Sequence, residues 1–213
     1  MKAYTKLLAS LVFISGAYGA PAFANTPELS DRTFRTVNKV QELIATEKYS
    51  DAISKLNSAL GTCQLAAQDL GLRIAIETHG AISPGPVGEA IHQSTVTTDR
   101  AALMRLLREI PSAIGINYDP GNIKAAENHS SRLHLDLLDS RINYCHLKDW
   151  KRVGRGWEAC GVGDDDLNYP ALLSQMRFDG VYLIEYEPLH DTTEGIRRSL
   201  NTLRSAGFRL AFE

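Results

Sequence analysis

Four short, largely apolar segments of the sequence end in, or directly before, a side chain that can bind a cation or transfer a proton. These four side chains are Glu77, Asp119, His146 and Glu185. Carboxylate oxygens and imidazole nitrogens are common ligands of divalent cations such as Mn²⁺, Mg²⁺ and Zn²⁺. Three carboxylates held together without a cation would repel one another strongly. If the fold brings the four side chains together, the pattern predicts a site for one divalent cation.

The segments that carry these residues have the length and composition of β-strands. We predict strands over 73–77, 113–118, 142–147 and 181–185. We predict amphipathic helices before, between and after them, over 64–70, 98–110, 129–138, 169–176 and 191–206. Alternating strands and helices indicate βα units around a parallel sheet, open or closed into a barrel. The carboxyl ends of parallel strands share one edge, which is where α/β folds place their sites.

The overall composition restricts the class of protein. Of the 213 residues, 44% are hydrophobic and 23% are charged, as in an ordinary globular protein. This composition excludes a disordered, collagen-like or disulfide-dense chain. The net charge is −2 and no polybasic run occurs, so we expect no nucleic-acid partner. The length falls short of the roughly 250 residues that a complete (β/α)8 barrel takes.

Residues 1–24 have the pattern of a secretory signal peptide. Lys2 and Lys6 precede an apolar stretch, and an Ala-x-Ala cleavage site follows at 22–24. We therefore expect a periplasmic or secreted protein without a stable membrane anchor, or a cytoplasmic one if the signal is not functional. The three cysteines, Cys63, Cys145 and Cys160, lack metal-ligand spacing. Cys145 lies in a predicted strand and is expected to be a buried thiol, and a bridge between the other two stays open.

Residues 25–61 predict a helical hairpin. Apolar residues recur at helical spacing on both sides of a polar stretch at 47–51. The second half resembles one tetratricopeptide repeat, through Tyr49, Ala52, Leu56 and Ala59. A single repeat cannot bury both of its faces, since about three are needed for a solenoid. A generic amphipathic hairpin packed on the next domain explains the pattern equally well.

Residues 62–213 carry a series of motifs at the predicted strand ends. They read AIETHG at 75–80, NYDPGN at 117–122, HLKD at 146–149 and YLIEYE at 182–187. Together they resemble the C-terminal half of the xylose isomerase-like TIM barrel family of sugar-phosphate isomerases and epimerases. The sequence GVG at 161–163 departs from the family's usual Gly-Glu-Gly. The resemblance implies an α/β fold with a partial barrel, about half of one, built from about four βα units.

The resemblance also implies a reaction and a ligand set. In the family, the residues at the positions of Glu77, Asp119, His146 and Glu185 bind one divalent metal ion. The metal stabilises an enediolate while a proton leaves one carbon and returns at another. The resemblance gives Glu77 and Glu185 the additional roles of base and acid.

Three further groups of residues follow from this interpretation. Lys148 is expected to neutralise the developing oxyanion. Arg152, or Arg155 beyond it, is expected to hold a substrate hydroxyl or phosphate. His79 and Asn122 are candidates for substrate contacts, although each also suits a turn. The expected substrate is a small sugar, sugar phosphate or polyol.

Half a barrel leaves several alternatives open. Two chains could complete one another as a homodimer, the helical hairpin could cover part of the gap, or the chain could be a fragment without turnover. Dehydration of a keto-polyol and metal-dependent cleavage of DNA also occur in the family, but the near-neutral charge and single ligand set argue against a nuclease. A different class of function is an exported interaction module, in which the hairpin binds a partner and the βα part is inert.

Overall fold

The computed structural model describes most of the chain from residue 71 onward. The described residues are 13–15, 54, 55, 57, 58, 60, 61, 64, 65, 67, 71–128, 133–188 and 191–209. Most of the predicted signal peptide and of the tetratricopeptide-like hairpin lies outside these residues, as does Cys63. Both the signal and the repeat therefore stay predictions.

Nine strands and five α-helices are described. The strands are β1 (Phe13–Ser15), β2 (Arg73–Glu77), β3 (Ala81–Pro84), β4 (Ala90–Gln93), β5 (Gly115–Tyr118), β6 (Ile142–Leu147), β7 (Asp149–Val153), β8 (Gly156–Cys160) and β9 (Tyr182–Ile184). The helices are α1 (Arg100–Glu109), α2 (Pro120–Glu127), α3 (Leu135–Leu138), α4 (Tyr169–Gln175) and α5 (Thr192–Ser205). A short 3-10 helix, Asp139–Arg141, precedes β6.

The larger sheet contains the four predicted strands in the order β2-β5-β6-β9, all parallel to their neighbours. β1 adds a short antiparallel strand to the outer edge of β2. Four of the five residues of β2 and all four residues of β5 are buried. This is the pattern of strands that are covered on both faces. The predicted α/β class with a parallel sheet is confirmed, and the fold is consistent with a partial TIM barrel.

One helix was not predicted and another is shorter than predicted. α2 begins directly after Asp119, whose side chain accepts a hydrogen bond from the Asn122 backbone N–H. Pro120 occupies the first helical turn, where its missing N–H costs nothing. Of the predicted helix over 129–138, residues 129–132 lie outside the described residues and 133–134 are not helical; α3 begins only after His134, whose φ is 57°.

A second, antiparallel sheet was not predicted from the sequence. Its strand order is β3-β4-β8-β7. A two-residue turn joins β7 to β8, with Gly154 at a φ of 56°, a conformation that suits glycine. β3 and β4 are only four residues long, and β7 and β8 mix charged with aromatic residues, as in the segment DWKRV of β7. Such segments lack the apolar runs by which the parallel strands were recognised.

Two clusters of buried apolar side chains hold these layers together. The main core lies between the parallel sheet and its helices and includes Ile76, Leu103 and Ile116. A small second cluster, formed by Ala125, Trp150 and Trp157, joins α2 to the antiparallel sheet. Cys145 is buried and free, as predicted, and Cys160 is also a free buried thiol. Within the described part of the chain, no helix is long and apolar enough to cross a membrane.

Candidate metal centre

The parallel sheet brings the four expected ligands to one place. Glu77 ends β2, Asp119 follows β5, His146 lies near the end of β6 and Glu185 follows β9. One ligand atom from each residue lies within 4.8 Å of the others. The four side chains thus converge at the carboxyl edge of the sheet, where the sequence places them.

Burial differs across this cluster. Asp119, His146 and Glu77 follow or lie on β5, β6 and β2, each of which has a neighbouring strand on both sides, and they are almost completely buried. The side chain of Glu185, beside the edge strand β9, keeps 22% of its surface exposed. The centre is therefore closed on the side of β5 and β6 and accessible on the side of β9.

Asp119 is oriented by several hydrogen bonds. Its two carboxylate oxygens accept from the backbone N–H of Asn122 at 2.9 Å and from the Asn122 side-chain amide at 3.0 Å. Its backbone N–H donates to the Thr78 hydroxyl at 2.8 Å, so the ends of β2 and β5 are linked beside the centre. Burial is the largest influence on this carboxyl and raises its pKa well above the usual range, and the nearby Glu77 and Glu185 add to the rise.

His146 lies between two carboxylates. Its Nδ1 is 3.2 Å from Glu77 Oε1 and 3.0 Å from Glu185 Oε2. Burial opposes protonation of the ring, but the hydrogen bonds with Glu185 and Glu77 outweigh it and raise the pKa of His146 to about 9. Burial likewise opposes ionisation of Glu185, yet its hydrogen bond with His146 and the charge of Lys148 lower its pKa to about 2.

Lys148 is the cation beside this centre. Its Nζ is 3.2 Å from Glu185 and 2.7 Å from Glu187, while the side chain itself is buried. Burial favours the neutral amine, but Asp119, Glu185 and Glu187 together raise the pKa of Lys148. Its backbone carbonyl accepts a hydrogen bond from the Tyr169 hydroxyl. A protonated lysine is therefore held at the rim of the carboxylate cluster.

The donor set fits a divalent cation. Glu77 Oε2 is buried and has no hydrogen-bond partner among the described residues. An unpaired buried carboxylate oxygen is costly unless another group neutralises it. Three carboxylates and one imidazole within 4.8 Å can supply four ligands to an ion such as Mn²⁺, Mg²⁺ or Zn²⁺.

The three residues expected to contact substrate have different surroundings. His79 lies two residues beyond Glu77, with its backbone N–H donating to Thr97 and its Nδ1 2.6 Å from the Gly80 carbonyl. Asn122 is completely buried, and its side chain bonds to Asp119 and Trp150. The Asn122 side chain is therefore placed to orient Asp119 and not to reach a substrate.

Arg152 lies elsewhere on the molecule. Its guanidinium donates to Asn128 at the C-terminus of α2 and stacks over the Trp157 ring, 4.8 Å from the ring centroid. An eight-residue helix is about 12 Å long, and Asp119 caps its opposite end. The structure therefore does not bring Arg152 to the cluster of ligands.

Two supporting features were missed from the sequence. Trp150 donates from Nε1 to Asn122 Oδ1 at 3.2 Å, which fixes the amide that in turn holds Asp119. Lys124 is buried in α2 and pairs with Asp149 at 2.9 Å, Asp165 at 2.8 Å and Asp166 at 3.0 Å. Two of the three acids in the run 164–166 thus bind Lys124, and the following helix α4 is capped by Asn168. An isolated lysine in an unpredicted helix gives no signal of such a contact.

Comparisons with known proteins agree on the fold. The family model described as xylose isomerase-like TIM barrel matches residues 26–206. A solved structure, a xylose isomerase domain protein from Planctomyces limnophilus, superposes with a TM-score of 0.54 at 17% sequence identity. The match covers 74% of this chain and 53% of that one, so this chain spans about half the length of that protein. A search of curated proteins gave no significant match.

Proposed function

The chain belongs to the xylose isomerase-like TIM barrel family, and we propose that it is a divalent-metal-dependent isomerase or epimerase acting on a sugar or sugar phosphate. The observation that supports this proposal most directly is the convergence of Glu77, Asp119, His146 and Glu185 at the carboxyl edge of the sheet. One divalent cation, when bound there, supplies Lewis-acid polarisation of the substrate's carbonyl oxygen.

Proton transfer is assigned to the two glutamates. Glu77 and Glu185 lie on the outer strands of the four-stranded parallel group, on either side of His146. A substrate bound over the cluster would place a carbon next to its carbonyl beside one carboxylate and the neighbouring carbon or oxygen beside the other. One glutamate, ionised, then removes a proton, and the other, which begins the cycle protonated, returns one at the new position; proton exchange of both carboxyl groups with solvent restores the starting state.

Lys148 is assigned to the negative charge that develops on the substrate oxygen. Its ammonium group lies 3.2 Å from Glu185, beside the cluster. The raised pKa keeps this group protonated at neutral pH, so it can donate a hydrogen bond to an enediolate oxygen. Burial of the lysine excludes water and strengthens this interaction.

The charge of the protein favours a small substrate over a nucleic acid. A net charge of −2 and the absence of a polybasic run argue against the nuclease activity of some relatives. Sugars, sugar phosphates and polyols remain the candidate substrates.

The proposal is tested by proton exchange in D₂O. The Mn²⁺-loaded protein is incubated with a panel of ketoses, aldoses and their phosphates, and deuterium incorporation next to the carbonyl is followed by NMR. Glu77→Gln and Glu185→Gln should each slow the exchange by roughly 100-fold or more, the usual contribution of general acid-base catalysis.

Glu158→Gln serves as the matched control. Glu158 lies on β8 in a solvent-exposed pair with Lys151, and the same change there should leave exchange unaltered. Metal content is measured for every variant, so that loss of the cation is separated from loss of the base. Exchange that is absent for every substrate, or unaltered in both glutamate variants, would refute the proposal.

A further inference from the structure

The edge strand β9 is less covered than the other parallel strands. All four residues of β5 are buried, whereas β9 is only partly buried. Val181, directly before β9, is 68% exposed, and Leu183 within it is 42% exposed. These are two of the six large apolar side chains that are exposed among the described residues. An apolar edge of this kind is one that proteins normally cover.

The two edges of the parallel sheet differ. The outer edge of β2 carries β1, which pairs with it in the antiparallel direction through only three residues. Among the described strands, β9 has no neighbour on its outer side. Closed barrels of this architecture contain eight parallel strands, and four are described here. In a closed barrel, the last parallel strand pairs with the first. Pairing of this kind would join the outer edge of a strand such as β9 to the outer edge of a strand such as β2.

We propose that a second copy of this chain closes the barrel, with β9 of each protomer pairing in parallel with β2 of its partner. The described residues of two copies supply four parallel strands each, which gives eight. Because each copy offers one β9 edge and one β2 edge, a two-fold axis along the barrel satisfies both edges at once. Val181, Leu183 and the exposed flank of Glu185 would then be covered by the partner.

This closure requires β1 to leave the edge of β2. The pairing is short, and antiparallel strands do not occur in the closed eight-stranded barrel. Residues 13–15 lie within the predicted signal peptide, so cleavage after Ala24 would vacate the edge. The N-terminal strand thus acts as a cap that keeps the unprocessed chain from pairing.

Charge balance sets the conditions for closure. Each copy would bring the carboxylates of Glu77, Asp119 and Glu185 to the same barrel mouth, where they repel one another. Lys148 and one divalent cation per copy supply three positive charges against these three negative ones. The dimer is therefore expected in the presence of Mn²⁺.

The test measures the mass of the full-length protein by sedimentation and light scattering with Mn²⁺ present. Proline fits poorly inside a paired strand, so Ile14→Pro should break the β1 pairing and convert the 23.5 kDa chain to a species of twice that mass. Ser15→Pro should break the same pairing, and this variant is used instead if the Ile14→Pro chain does not fold. Circular dichroism establishes the fold of each variant.

A matched pair of substitutions locates the interface. In the Ile14→Pro chain, Val181→Lys should return the protein to the monomer mass, because it places a charge at the β9 edge. Val87→Lys makes the same change at a 77% exposed valine in the turn between β3 and β4, and the dimer should persist. The proposal would be overturned if the folded Ile14→Pro chain stays monomeric at about 100-fold the protein concentration of the first mass measurement. It would also be overturned if Val181→Lys and Val87→Lys affect the dimer equally. The mass does not depend on turnover, so this result is separate from the outcome of the exchange experiment.

Discussion

The two sheets of the molecule contribute differently to the candidate metal centre. The parallel sheet presents all four expected ligands at the ends of its strands. The antiparallel sheet presents none of the four, but Trp150 and Asp149 at the start of β7 contact the residues of α2. The parallel sheet therefore supplies the candidate ligand atoms, and the antiparallel sheet holds α2 and Lys148 in place beside them.

The contacts between the sheets form two separate chains of contacts, each running through a few side chains. In the first, Trp150 holds Asn122, and Asn122 holds Asp119. In the second, Lys124 of α2 binds Asp149, the residue directly after Lys148. The difference between the sheets shows that the chemistry of a site and its geometry can come from separate parts of a fold, as in metal sites whose outer partners orient the ligands.

The largest effect is expected from breaking the second chain of contacts. Lys124→Met would leave Asp149 buried without its cation, and breaking a buried ion pair in this way costs about 3–5 kcal/mol. Urea-induced unfolding followed by circular dichroism measures the loss in the free energy of unfolding.

Lys151→Met is the matched control for that variant. Lys151 pairs with Glu158 on the same antiparallel sheet, but its side chain is 47% exposed. An exposed pair contributes at most about 1 kcal/mol. Equal losses in the two variants would show that the buried cluster does not join the sheets.

The parallel sheet should impart a pH dependence to the metal-free protein. The pKa of His146 is about 9 in the folded chain, above its ordinary value of 6.5. The stabilisation that this proton provides is complete below pH 6.5 and is lost as the pH rises towards 9. The free energy of unfolding, measured in urea with a chelator present, should fall by at most about 1.4 kcal/mol per pH unit in this window.

His146→Gln removes the titrating ring. The fall in stability between pH 6.5 and 9 should then disappear or become much smaller. A slope that is the same in this variant as in the wild type would assign the pH dependence to other groups.

The smallest effect is expected from breaking the first chain of contacts. Trp150→Phe removes the donor to Asn122 and should cost about 1 kcal/mol of stability. Because Asn122 orients Asp119, affinity for Mn²⁺ should fall roughly tenfold, as for other partners that orient a ligand. Titration calorimetry measures the affinity.

Trp157→Phe is the control for this effect. Trp157 is buried to a similar extent, and its ring lies against Lys124 and Arg152, whereas the hydrogen bond to Asn122 comes from Trp150. Its replacement should leave Mn²⁺ affinity nearly unchanged. A comparable fall in both variants would mean that the hydrogen bond to Asn122 does not carry the effect.

The same contrast explains what could be predicted from the sequence. The parallel strands are continuous apolar runs, so their ends, and with them Glu77, Asp119, His146 and Glu185, could be located. The antiparallel strands have no such runs, because β3 and β4 are only four residues long and charged residues interrupt β7 and β8. Their pairing depends on contacts distant in sequence, which local patterns do not encode.

The directions in which side chains point could not be predicted from the sequence either. Asn122 and Arg152 were expected to contact substrate because they follow Asp119 and His146 closely along the chain. Asn122 lies in the first turn of α2, and its side chain points inward to Asp119. Arg152 lies on β7, and its side chain contacts Asn128 and Trp157 instead. The ends of the predicted strands therefore located the four side chains that converge, whereas proximity along the chain did not locate the side chains of Asn122 and Arg152.

The central claim is that the four converging residues form one metal site. Titration calorimetry with Mn²⁺ on the wild type and on His146→Ala tests it most directly, with Glu158→Gln as a carboxylate control on the antiparallel sheet. The wild type and the control should bind one ion per chain, and His146→Ala should bind more than about 100-fold more weakly, since loss of an outer partner alone costs 10–100-fold. Equal binding by the wild type and His146→Ala would contradict the claim.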